Sequence, residues 1–143
     1  MKSVLLAVDG SKSSFEAVLY LIDFVKEHGP LVVHVVNVQP KPLLSQADGM
    51  QQEAVDQQFS AEAYSSLKPA LHALQEAHIT HQMHIRLGDI AEIVVALADE
   101  LGCDHIVMGT RGLGAISGVL LGSVTNRVLQ LASTPVTCVR GQS

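Results

Sequence analysis

The stretch MGTRGLGAISGVLLGSVT, residues Met108 to Thr125, decides how this chain is interpreted. It holds five of the eleven glycines of the chain within fourteen positions, at Gly109, Gly112, Gly114, Gly118 and Gly122. Glycine lets backbone N–H groups approach an anion closely and tolerates the positive φ angles of tight loops. A glycine-rich run can also be a plain connection, so its flanks matter. Here an apolar strand precedes it and a helix start follows, which is typical of phosphate binding.

Composition predicts one globular domain over residues 1–143 with an aliphatic core. Apolar residues make up 48% of the chain and aromatic residues only 3%, with no Trp, which suits a parallel sheet covered by helices. The formal charge of −5 argues against binding to nucleic acid or to an anionic membrane. Neither a signal peptide nor a membrane span is recognisable in the sequence, and the two cysteines form no CxxC pair. We therefore expect a reduced, cytoplasmic protein.

Apolar periodicity predicts strands and helices in strict alternation. The predicted strands cover Ser3–Val8, Leu31–Val38, Ile79–Leu87, His105–Met108 and Pro135–Val139. The predicted helices begin at Ser11, Gln51, Asp89 and Ser123, and Pro69 should kink or split the second. Such alternation implies an α/β fold, a five-stranded parallel sheet sandwiched by helices in the Rossmann-like manner. Ligands of these folds bind at the carboxyl ends of the strands, where Asp9 and the glycine run both fall.

The glycine spacing separates this chain from the common phosphate loops. Gly109, Gly112, Gly122 and Ser123 read G-x2-G-x9-G-S, and no GK[ST] P-loop signature occurs. This pattern resembles the signature of the universal stress protein family, specifically its ATP-binding branch of single-domain members. The resemblance covers the whole chain and includes four further features: Asp9 after the first strand, the His34-Val35 pair, the helix start Gly122-Ser123-Val124-Thr125, and Pro135-Val136.

The resemblance implies an adenine nucleotide alpha hydrolase-like fold and a set of nucleotide-binding residues. Main-chain atoms near Ala7 and Val35 would line the adenine pocket. Residues beside the ribose and phosphates would be Met108, Gly109, Arg111 and Gly112, and phosphate would be bound by Gly122, Ser123, Val124 and Thr125. Asp9 would lie near the phosphates, where Mg²⁺ could bridge its carboxylate to ATP or AMP.

Each of these side chains also has a purely structural interpretation. Asp9 before Gly10 can make a turn or cap the first helix, and Ser123 can be an ordinary N-cap. Arg111 can be a solvated loop cation, although its flanking glycines favour ligand contact. His78, His81 and His84 invite a metal site, but on a strand they span about 20 Å and alternate between faces. They cannot together chelate one ion.

The last strand is predicted to lie at a sheet edge. Pro135 cannot donate to a β ladder, and Val136 and Val139 would leave an apolar edge exposed. The family resemblance implies a cover for it, the last strand of a second subunit, and hence a homodimer.

The leading hypothesis is an adenine-nucleotide-binding regulatory stress-response protein with little or no catalysis and an unknown protein partner. The first alternative is a slow ATP hydrolase or autophosphorylating enzyme that uses Asp9, Mg²⁺ and Ser123 or Thr125. A nucleotide-free dimeric scaffold is a further alternative. A flavodoxin-like electron carrier is disfavoured, because all five aromatic residues, Phe15, Tyr20, Phe24, Phe59 and Tyr64, fall in predicted helices rather than in the candidate loops.

Overall fold

The structure, a computed structural model, describes residues 1–40, 52–111 and 121–141, with the backbone alone described at 52–59. The described strands are β1 (Ser3–Ala7), β2 (Val32–Gln39), β3 (His81–Leu87), β4 (His105–Gly109) and β5 (Val136–Val139). The described helices are α1 (Lys12–His28), α2 (Gln52–Glu76), α3 (Ile90–Leu101) and α4 (Ser123–Leu131). The predicted alternation of strands and helices is therefore confirmed over the part of the chain that is described.

The five strands form one parallel sheet in the order β3-β2-β1-β4-β5. This confirms the predicted α/β class and makes β5 an edge strand. The strand order reverses at β1, because β2 pairs with one edge of β1 and β4 pairs with the other. Such a reversal opens a crevice at the carboxyl ends of the strands, which is where open α/β sheets bind ligands.

Two aliphatic clusters cover the two faces of the sheet. On one face Leu6 and Val35 pack against buried residues of α1 and α2, such as Leu21 and Leu67. The opposite-face cluster holds Leu5, Val36, Val94, Ile106 and Val128, and packs under α3 and α4. Burial of apolar area contributes about 25 cal/mol per Å² to folding, so both faces stabilise the sandwich.

Two local differences from the sequence prediction have clear physical reasons. The third strand begins at His81 rather than at Ile79, because His78 adopts φ 57° and Ile79 donates its N–H back to the Leu74 carbonyl, which closes α2. Pro69 does not split α2, which continues through it. Leu67 and Ala70, on either side of Pro69, are completely buried and hold that helix on the sheet. In the described part of the chain, none of the helices is both long enough and apolar enough to span a membrane.

Candidate functional site

A cavity of about 770 Å³ lies at the carboxyl ends of β1, β2 and β4 and reaches the start of α4. Its position is the crevice that the strand order predicts. The volume falls in the range of about 300–1,000 Å³ that is typical of small-molecule sites. The cavity has two chemically different ends.

One end of the cavity is apolar. Its wall is formed by six side chains, those of Ala7, Val36, Val38, Ile90, Val94 and Met108. All six belong to or pack against the aliphatic cluster under α3 and α4, so they are held rigidly. A wall of this kind can pack against a flat ring and presents no charge of its own.

The other end of the cavity is the N-terminus of α4. Its N-cap is Gly122, and no side chain among the described residues caps the helix. The first-turn residues Ser123, Val124 and Thr125 line the cavity. Backbone N–H groups in a first helical turn have no intrahelical acceptor, and the helix dipole adds partial positive charge there. This end of the cavity can therefore accept an anion such as a phosphate.

Two predicted phosphate donors are already engaged in the fold. The Gly122 N–H donates to the Thr110 carbonyl at 2.7 Å. Thr125 is 3% exposed, and its hydroxyl donates to the Gly109 carbonyl at 3.0 Å. These bonds fix the end of β4 against the start of α4. The donors left to an anion are consequently the first-turn backbone N–H groups and the Ser123 hydroxyl.

Gly109 is required by close packing between β4 and α1. A Cβ atom at this position would lie 2.6 Å from the Ser13 carbonyl oxygen and closer still to the Ser13 hydroxyl. The Ser13 hydroxyl also accepts the Arg111 N–H at 3.3 Å. Gly109 and Arg111 both line the cavity. Gly112, together with Gly114 and Gly118, lies outside the described residues.

Asp9 both makes a turn and lines the cavity. Its Oδ1 accepts the Ser11 N–H at 2.8 Å, which is the structural role considered from the sequence. The same residue stands in the cavity wall beside Ser14. Its carboxylate is a hard oxygen donor of the type that Mg²⁺ prefers. Within the described residues, no group of three or more His, Cys, Asp or Glu side chains gathers to hold a metal ion.

The predicted role of Val35, to line the base pocket with main-chain atoms, stays a prediction. Its side chain is completely buried in the core under α1 and α2 and does not line the cavity. The next residue, Val36, points to the other face of the sheet and does line it. Because β2 is buried on both faces, its apolar pattern did not reveal which residues face the crevice.

Sequence reasoning also missed two polar residues of the cavity wall, Asn37 and Gln39. Asn37 is 2% exposed and donates its Nδ2 to the Val8 carbonyl at 2.8 Å. Gln39 donates its Nε2 to Asn37 Oδ1 at 2.6 Å. The available signal was an amide, Asn37, between two valines of the buried strand VVHVVNVQ, because a buried amide requires hydrogen-bond partners.

Two of the histidines considered as metal ligands, His84 and His81, have side-chain contacts of another kind. His84 lies 2.9 Å from His34, measured between Nε2 and Nδ1, with ring centroids 5.1 Å apart. His81 contacts the Ile79 carbonyl through its Nδ1. Burial lowers the pKa of His84 from its ordinary value, and nearby His34 and Arg86 lower it further, whereas Glu100 acts in the opposite direction. His84 is thus held neutral inside the fold at neutral pH.

Comparison with known proteins agrees with this geometry. A sequence model of the universal stress protein family matches residues 1–140. A universal stress protein of Synechocystis sp. is 32% identical, with 96% of this chain and 85% of the relative covered. A solved universal stress protein in complex with cAMP is 26% identical and superposes with a TM-score of 0.71, covering 99% of this chain and 98% of the other. An Arabidopsis thaliana family member with AMP bound is 17% identical, with a TM-score of 0.75 and coverage of 100% and 94%.

Proposed function

The chain belongs to the universal stress protein family, and we propose that it is an adenine-nucleotide-binding regulatory protein of that family. The observation that carries the proposal is the two-ended cavity, with an apolar wall at β2 and α3 and an uncapped helix start at α4. A nucleotide has the same two-part character, a flat base and an anionic phosphate group. The cAMP and AMP complexes of other family members support the same ligand class.

In the proposed complex the base packs between the apolar side chains and the phosphates reach α4. Val36, Val38 and Met108 contact the base, while the N–H groups of Ser123, Val124 and Thr125 donate to phosphate oxygens. Arg111 and Gly109 lie along the path between the two ends, and Gly112 is expected to continue it. With ATP bound, Mg²⁺ would take one ligand from Asp9 and the remaining oxygens from phosphates and water.

The chemistry of the cavity wall favours binding and regulation over turnover. Among the described lining residues there is no His or Cys, and the acidic groups are Asp9 and Glu62. Asp9 is engaged with the Ser11 N–H, and Glu62 lies on the exposed face of α2. Efficient hydrolysis requires a base positioned to activate water, with a pKa near the working pH. Occupancy would then be signalled through loops around the site to a protein partner.

The same proposal includes a homodimer formed through β5. This strand is at the edge of the sheet, and all four of its residues are only partly buried. Val136 and Val139 pack against opposite aliphatic clusters from this edge. A second copy that paired its own β5 here would satisfy the open ladder and cover the apolar edge. The cytoplasmic location stays a prediction from the sequence.

Calorimetric titration of the purified protein with AMP and with ATP, with and without Mg²⁺, tests the proposal. We expect saturable binding to one site per chain and little phosphate release over hours. Rapid ATP hydrolysis that Asp9→Ala abolishes would support the enzyme alternative instead. Absence of binding to any adenine nucleotide would favour the dimeric scaffold.

A further inference from the structure

Ser13 lies in the first turn of α1 and contacts the backbone at the end of β4. Its hydroxyl accepts the Arg111 N–H at 3.3 Å. This approach depends on Gly109, because a Cβ atom there would lie 2.6 Å from the Ser13 carbonyl oxygen. Gly109 and Arg111 belong to the described cavity wall, and Ser13 does not. Ser13 therefore acts on the site through the backbone that it holds and not through a ligand contact.

The backbone at Arg111 is joined to the start of α4 through the preceding residue, Thr110. The Thr110 carbonyl accepts the Gly122 N–H at 2.7 Å, and the Thr110 N–H donates to the Val139 carbonyl at 3.1 Å. Thr110, Arg111 and Gly122 are here called the β4–α4 junction. The end of β5 supports this junction through Thr110, and α1 supports it through the Ser13 hydroxyl. In the proposed complex the first turn of α4, which follows the junction, binds phosphate.

The start of α1 is a firm support, because its own backbone is fixed beside the cavity. Asp9 Oδ1 accepts the Ser11 N–H at 2.8 Å, and the Ser11 hydroxyl accepts the Ser14 N–H at 3.1 Å. Without the Ser13 hydroxyl, the Arg111 N–H loses this acceptor and the tie between α1 and the junction is removed. A site that is less ordered before binding must be ordered by its ligand, which weakens affinity.

We infer that Ser13 is a positioning residue, which holds the β4–α4 junction in the arrangement that binds the phosphate of a nucleotide. The inference rests on the proposed nucleotide-binding function. It separates Ser13 from the residues of the cavity wall, since its effect should be confined to the phosphate end of the ligand.

The direct test compares AMP with adenosine, which lacks the phosphate. Titrations should show that Ser13→Ala binds AMP about three- to tenfold more weakly than the wild type, because the junction must now be ordered on binding. Adenosine should bind both proteins equally, because it lacks the group that reaches α4. Ser65→Ala, the same change at an exposed helical position on α2, is the matched control and should bind both ligands like the wild type.

Amide hydrogen exchange in the ligand-free proteins provides a second readout, which does not depend on nucleotide binding. The Arg111 amide should exchange faster in Ser13→Ala than in the wild type. The Ile106 amide, which donates to the Pro135 carbonyl at 2.9 Å within the sheet, should exchange equally slowly in both and so verifies that the variant is folded.

Three results would overturn the inference while leaving the proposed function intact. They are wild-type AMP affinity in Ser13→Ala, an equal weakening of AMP and adenosine binding, and unchanged exchange of the Arg111 amide. Equal weakening would overturn it because a general loss of structure does not discriminate between the two ligands. A wild-type protein that binds no adenine nucleotide would overturn the proposed function, and the inference with it.

Discussion

The helices α1 and α4 both begin at the carboxyl edge of the sheet, yet only α1 has a side-chain cap on its first turn. At α1 the Ser11 hydroxyl accepts the Ser14 N–H at 3.1 Å, and Asp9 accepts the Ser11 N–H. At α4 the N-cap is Gly122, which has no side chain to offer. The first turn of α1 is thus capped by a side chain, whereas the first turn of α4 has no side-chain cap. In the proposed function, this difference is what leaves the start of α4 available to a phosphate.

The start of α3 supports this comparison. Asp89 caps it by accepting the Glu92 N–H at 3.0 Å. Arg127 of α4 is half exposed and pairs with Asp89 at 4.0 Å and with Glu92 at 3.2 Å. These contacts fix α4 beside α3 without occupying its first turn. Among the described helices with a described N-cap, only α4 lacks a side-chain cap.

Gly109 determines how closely the two helix starts approach each other, and its substitution should have the largest effect. In Gly109→Ala the added Cβ would meet the Ser13 backbone, so α1 or β4 must shift. Overpacking of this kind costs about 1–3 kcal/mol, measurable by denaturant unfolding, and nucleotide binding should weaken as well. Gly141→Ala is the matched control, since its nearest contact would be an ordinary 3.5 Å to Glu16. Equal stability of the two variants would contradict the close-packing argument.

A side-chain cap added to α4 should remove the difference between the two helix starts. Gly122 has φ −71°, which any residue can adopt, so Gly122→Asp can install a side-chain cap. We expect the helix to gain only a few tenths of a kcal/mol in stability, because glycine is itself a tolerable N-cap residue. Nucleotide affinity should fall at least tenfold, because the new Asp carboxylate accepts a first-turn N–H of α4 and repels the phosphate.

The control removes the existing side-chain cap of α1. Ser11→Ala should lose about 1 kcal/mol of stability, because a cap is removed, and leave affinity nearly unchanged. Thermal melts and titrations of the two variants measure both effects. If Gly122→Asp binds nucleotide as well as the wild type does, the uncapped first turn of α4 is not the phosphate site.

Thr125→Val removes the hydroxyl that ties α4 to the end of β4. The Gly109 carbonyl then loses its side-chain donor, at a cost of about 1 kcal/mol in unfolding free energy. If the hydroxyl only positions α4, nucleotide affinity should fall by a small factor. Thr80→Val, at an exposed position, is the control. A loss of binding as large as that in Gly122→Asp would instead make the Thr125 hydroxyl a direct ligand.

The smallest effect concerns His84, which lies away from both helix starts. Its pKa is lowered in the folded protein, chiefly by burial, so below the ordinary value near 6.5 the unfolded chain binds more protons than the folded one. The free energy of unfolding contributed by His84 is therefore fully present above pH 6.5 and is lost as pH falls through the lowered pKa. Denaturant midpoints at pH 7.5 and 5.5 should show a smaller decrease in His84→Gln than in the exposed control His72→Gln.

The fold could be predicted from sequence because its strands are short aliphatic runs separated by amphipathic helices and clear stop signals. Ser11 and Asp89 were both identified correctly as the residues at which helices start, since caps depend on local chemistry. Ile79 was assigned to a strand because alternation cannot reveal that its N–H closes the preceding helix.

The site was less predictable, since its details depend on contacts between distant segments. The glycine pattern indicated the start of α4 as a candidate phosphate site, but it could not reveal that the Gly122 N–H donates to the Thr110 carbonyl. Val35 and Val36 are both buried, so the sequence could not reveal that the Val36 side chain faces the cavity. The amide pair of Asn37 and Gln39 depends on a hydrogen bond to Val8, 29 residues from Asn37 along the chain.

The central claim is that first-turn N–H groups of α4 bind phosphate, and paired proline substitutions test it most directly. Ser123→Pro and Lys12→Pro each place proline at the first position of a helix, after a residue already in the extended conformation that proline requires. Neither change removes an intrahelical hydrogen bond, so both proteins should stay folded. The account predicts that Ser123→Pro binds AMP about tenfold or more weakly than Ser123→Ala, which also lacks the hydroxyl, because a charge-assisted hydrogen bond is lost; Lys12→Pro should bind like the wild type. Equal AMP affinities of Ser123→Pro and Ser123→Ala would contradict the claim.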